Sequence, residues 1–207
     1  MDILTAIFGT QAKVRMLRLF LFNPETPFFL EELVDRTKRT PKEIRHELQM
    51  FLKSDLLKKR LTTKDVAGLS AGQGSKKVHG LSYQLNPKFI YLNELKSFLT
   101  IASISADASL LRRFSNIGRL KLLVASGIFN QNWDARVDLL IVGDDLDLAR
   151  IEHAIKAIEA EVGKELSYSA FETGDFEYRL GIHDRLIRDI LDYPHVTLLD
   201  RLGVEPE

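Results

Sequence analysis

The chain has 207 residues, 45% hydrophobic and 28% charged, an ordinary balance for a globular protein of one large or two small domains. It has no cysteine, which excludes disulfides and thiolate metal sites, and its five histidines show no ligand spacing. The net charge of zero hides a split: residues 1–90 hold 16 Lys+Arg against 9 Asp+Glu, and the remainder holds 13 against 20. That is +7 against −7, the asymmetry of a polyanion-binding module joined to one that is not. No basic-then-apolar leader and no bilayer-length apolar run is seen, so a cytoplasmic protein with no membrane partner is expected.

Val14, Leu17 and Leu21 form one apolar stripe that predicts a helix over about 11–22, ended by Asn23-Pro24. Leu30, Leu33 and Val34 mark a short helix closing near Thr37. Thr40-Pro41-Lys42-Glu43 then reads as a capping box with proline at the first helical position. The helix it opens, over about 41–53, buries Ile44, Leu48, Phe51 and Leu52. At 100° per residue, Lys42, His46, Gln49 and Lys53 gather on the opposite face, with Arg45 at its margin. Strands are expected over 57–61 and 78–85, with Leu81, Tyr83 and Leu85 alternating. Gly68 to Gly74 form a Gly/Ser-rich tip, flanked by Lys58, Lys59, Arg60 and Lys64 before it and by Lys76 and Lys77 after it.

This order of elements over about residues 10–88 resembles the winged helix-turn-helix transcription regulators. The resemblance implies that the third helix reads double-stranded DNA while the ribbon touches its backbone. Lys42, Arg45, His46 and Gln49 would then face bases, and Lys53, Lys58, Lys59, Arg60, Lys76 and Lys77 would face phosphates. One departure is visible: the turn before the third helix, often glycine-bearing in that family, reads Lys38-Arg39-Thr40. The plainer reading of these cations is a solvated helix face and lysines that blunt an exposed strand edge.

Asn86-Pro87 closes the ribbon. Phe89, Leu92, Leu95, Phe98 and Leu99 recur at helical spacing, and Leu110, Leu111 and Phe114 continue the apolar pattern. Residues 89–114 are therefore expected to link the two halves or to pair with the same segment of a second chain, giving a homodimer.

Strands are expected at 120–125, 137–143 and 166–171, with a helix over 148–162 closed by Gly163. Two more helices open at Thr173 and near Asp184, each on a good capping residue, and an apolar patch follows at 196–199. This order over about 115–203 resembles the minimal nucleotidyltransferase domain of the DNA polymerase beta superfamily. Active members hold nucleotide phosphates with a Gly-Ser pair and divalent metal with two carboxylates one residue apart, completed by a third. Here those positions read Ala125-Ser126, Arg136-Val137-Asp138 and Ser167, so one carboxylate of three remains. Magnesium needs hard oxygen ligands, and a guanidinium in a ligand position repels it.

Three readings of Arg136 stand open. It is a remnant on the surface, it replaces the metal's charge and holds an anion, or Asp134 supplies the missing acid. The expected architecture is α+β: a winged helix-turn-helix over 1–88, linking or dimerisation helices over 89–114, and a small mixed α/β nucleotidyltransferase-like domain over 115–207. The expected function is a DNA-binding transcriptional regulator. Its second domain is a disabled enzyme used for dimerisation, ligand sensing or partner binding. No catalytic residue, metal or cofactor is expected. Ser126, Arg136 and Asp138 form a vestigial site whose candidate ligand is a nucleotide or another anion. The alternatives are an active nucleotidyltransferase modifying a protein or small molecule, and a basic module that binds an acidic protein.

Overall fold

The computed structural model describes residues 3–66, 76–101, 108–130, 132 and 135–204; the side chains of residues 3, 64–66, 76–78, 100–101 and 108–109 lie outside that description. The chain is mixed α and β with two separate sheets. It divides into two compact units, Met1–Ala102 with Ala160–Lys164, and Ser103–Glu159 with Glu165–Glu207. The main division falls inside the stretch expected to link the halves.

In the first unit, α1 (Ile3–Phe8) and α2 (Gln11–Phe22) precede a two-residue strand, β1 (Phe28–Phe29). Helices α3 (Leu30–Thr37) and α4 (Pro41–Lys53) follow, then the long strands β2 (Leu57–Val66) and β3 (Lys76–Leu85) and helix α5 (Leu92–Ile101). The capping box forms as expected: Thr40 Oγ1 accepts from Glu43 N at 3.3 Å, and Glu43 Oε2 accepts from Thr40 N at 2.9 Å. The turn between α3 and α4 is made without glycine, because Lys38 itself adopts the left-handed conformation, φ 51° and ψ 45°. Arg15 ties this turn to α2 by donating to Thr37 O at 2.7 Å.

The three strands form an antiparallel sheet in the order β1-β3-β2. Its inner face joins Phe28, Leu57 and Leu85 to Leu17, Phe20, Leu33, Ile44, Leu48 and Phe51 in one core. Leu99 of α5 is buried in the same core, and Phe89, Leu92 and Leu95 pack against it. Much of the apolar surface expected to serve linkage or pairing is therefore used by the first unit itself.

The second unit holds α6 (Ala108–Arg113), β4 (Arg119–Ala125), a single 3-10 turn (Gly127–Phe129) and β5 (Leu139–Asp144). Helix α7 (Leu148–Val162) leads to β6 (Tyr168–Glu172), α8 (Thr173–Gly181), α9 (Arg185–Leu191) and β7 (Val196–Asp200). The sheet order is β6-β5-β4-β7. The β5–β6 pair is parallel, as a helical crossover requires, and the other two pairs are antiparallel. Strands β4 and β5 are buried on both faces, which explains their unbroken apolar runs. Leu122, Val124, Leu140 and Val142 of one face pack with Phe176, Ile187 and Ile190 from α8 and α9. The apolar patch at 196–199 is thus an edge strand. The expected cap at Thr173 is corrected: Glu172 is the N-cap residue of α8, and its carboxylate accepts instead from the amides of Asp145 and Leu146 at 3.2 and 3.1 Å. Asp184 caps α9 as expected, accepting from Leu186 N at 2.8 Å.

Candidate nucleic-acid interface and candidate anion site

Helix α4 turns Ile44, Glu47, Leu48 and Phe51 inward. That orientation leaves Lys42, Arg45, His46, Gln49 and Lys53 exposed on the other side, as the helical period dictates. On β2, Lys58, Lys59 and Arg60 are exposed as well. Among the described residues, none of these eight side chains is held in a hydrogen bond or ion pair. Lys13, Lys38 and Arg39, by contrast, engage Glu47, Asp35 and Gln11. The free set therefore has no internal task competing with a ligand.

The strand period separates the three hairpin cations. Lys59 pairs with Tyr83 and lies on the sheet face of Leu57, the face that closes the core. Lys58 and Arg60 pair with Gln84 and Ser82 on the reverse face. A run that reads as one basic patch is two. The strands extend further than the sequence suggests, to Val66 and back to Lys76, while the expected tip at 68–74 and the side chains of Lys64, Lys76 and Lys77 lie outside the described residues.

A residue without an assigned role in the sequence holds α4 in place. Glu47 is 2% exposed. Its Oε1 accepts from Thr10 Oγ1 at 2.7 Å, and Lys13 Nζ lies 3.5 Å from Oε2. The signal available in the sequence was its position, on the apolar stripe between Ile44 and Phe51.

In the second unit, Asp138 is 8% exposed and both its oxygens are engaged by backbone amides. Oδ1 accepts from Ile128 N at 2.9 Å and Oδ2 from Ser167 N at 2.8 Å. The carboxylate thereby joins the turn after β4 to the start of β6. Gly127 makes this possible: its φ is +58°, and a Cβ there would stand 2.1 Å from Asp138 Oδ1. The Ser126 hydroxyl is directed at Val137 O, to which it donates. Arg136 pairs with Asp189 of α9, Nε to Oδ2 at 3.0 Å.

Arg136, Asp189, Arg185, Asn132, Tyr193 and Ser126 share the lining of a cavity of about 390 Å³. Its charged wall has two guanidinium groups against one carboxylate, which suits an anion better than a cation. Among the described residues no group of three or more His, Asp or Glu side chains is arranged to hold a metal ion. Asp134 lies outside the described residues.

Comparison of the chain with protein-family models, with curated proteins and with solved structures returned no match.

Proposed function

We propose that the first unit is a winged helix-turn-helix that binds double-stranded DNA, and that the chain is a transcriptional regulator acting as a homodimer. The observation that carries the proposal is the polar face of α4: five exposed side chains that can donate to phosphates or base edges, none spent on an internal partner. The adjoining hairpin adds free cations on each of its faces, Lys59 on one and Lys58 with Arg60 on the other, so that one face at a time can join the α4 surface. The second unit is proposed to be a nucleotidyltransferase-like domain without catalysis, serving dimerisation, ligand sensing or partner binding. The burial of Asp138 and its engagement by two amides support that part, because they give the one remaining carboxylate a structural task, joining two separate segments.

Cleavage protection on a duplex selected from a random pool by the full chain tests the reading. Two protected half-sites about one helical turn apart are expected of a symmetric dimer. A stable complex with an acidic protein and no protection on any duplex would replace it with a protein-binding module.

A further inference from the structure

The first unit has a second polar feature, which shares Arg60 with the proposed DNA surface. A cleft of about 230 Å³ opens between the end of α2, the β2–β3 hairpin and the start of α5. Its apolar lining comes from Leu21, Leu85 and Leu92, with Pro24 and Pro87. Arg60 and Lys96 also line it, both exposed, and among the described residues neither is in a hydrogen bond or ion pair. Both cations are therefore available to an anion that enters the cleft.

Gln84 supplies the third element. It is 8% exposed, and its Nε2 donates to Glu25 O at 2.9 Å, which fixes the amide in the wall of the cleft. Leu92 and Asn93, the first two residues of α5, bring the positive end of that helix dipole to the same rim. Glu25 is the one acidic residue in the lining, set against two cations. We propose that this cleft is a receptor site for a small carboxylate with a short apolar tail. The carboxylate would accept charge-assisted hydrogen bonds from Arg60 and Lys96, and the tail would cover the leucines. The site lies within the first unit and is distinct from the Asp189 cavity; it shares Arg60 with the proposed DNA surface, but its carboxylate binding is tested without DNA.

The test titrates the full, isotope-labelled chain with sodium hexanoate, sodium acetate and inorganic phosphate at constant ionic strength, without DNA. Saturable shifts of the Gln84 and Asn93 side-chain amides are expected with hexanoate. Acetate and phosphate should bind at least about tenfold more weakly, because they leave the apolar wall wet. Arg60→Gln and Lys96→Gln should each weaken hexanoate about tenfold or more, the loss of one charge-assisted contact. Both side chains are exposed, so the variants are expected to keep the wild-type spectrum elsewhere. Absence of saturable shifts overturns the proposal, and so does hexanoate affinity unchanged in both variants. Acetate binding as tightly as hexanoate would overturn the assignment of the apolar wall.

Discussion

Glu47 and Thr10 are joined by a 2.7 Å hydrogen bond that ties α4 to the start of α2. The same Thr10 hydroxyl accepts from Lys13 N at 3.0 Å and so caps α2. One side chain thus fixes a helix end and anchors α4 from its buried side. Replacing Glu47 with Ala removes a buried acceptor and leaves Thr10 and Lys13 without their partner. A loss of about 1–3 kcal/mol is expected from denaturant unfolding, with Glu47→Gln costing less because it keeps an acceptor oxygen.

Lys38 sits where a glycine would relieve strain, at φ 51°. Its only described ion pair, to Asp35, is surface-exposed and worth little. Lys38→Gly should therefore raise stability by up to about 1 kcal/mol, with Lys38→Val lowering it, as read by thermal unfolding. A Lys38→Gly protein that melts lower would mean that the turn does not adopt this conformation.

Asp138 is expected to behave as a structural residue. Asp138→Ala strands the amides of Ile128 and Ser167 and should cost about 3 kcal/mol. Gly127→Ala should destabilise through the same contact, since its Cβ would overlap Asp138 Oδ1. Incubation of the wild-type chain with magnesium and labelled nucleoside triphosphates should give no incorporation. Label that appears, and vanishes in a folded Asp138→Asn protein, would restore the enzyme reading.

The Thr40 hydroxyl, then the Thr40 amide, hold the Glu43 carboxyl below its usual range. A depressed folded pKa adds stability that is complete above the unfolded value, about 4.3, and drains as pH falls through the folded value. Thr40→Ala should remove part of that acid-side slope while leaving the pH dependence above about 6 unchanged. Unfolding midpoints across the acid range check this; parallel wild-type and variant curves would contradict it.

The helices at α2, α4 and α7 were legible because apolar periodicity was long and their ends carried proline, glycine or a capping box. Helix α1 and strand β1 were not, since six and two residues give too few turns or alternations to stand out. The patch at 196–199 became a strand only through pairing with β4, a contact that local pattern does not encode. At the candidate interface the α4 face followed from 100° steps alone. The consecutive Lys58, Lys59 and Arg60 advertised charge but concealed that a strand sends neighbours to opposite faces. Asp138 could be recognised as an acid at a strand start. Its partners Ile128 and Ser167 come from separate segments, so its engagement depended on the fold closing around it.

If α4 and the hairpin offer a phosphate-binding surface, the salt dependence of duplex binding measures it most directly. Each phosphate neutralised contributes about −0.9 to the slope of log affinity against log salt. A steep slope is expected for the wild-type chain, and the double variant Lys42→Ala with Lys53→Ala should flatten it by about 2 while the fold is retained. No duplex binding at low salt, or a slope indifferent to that variant, would contradict the account.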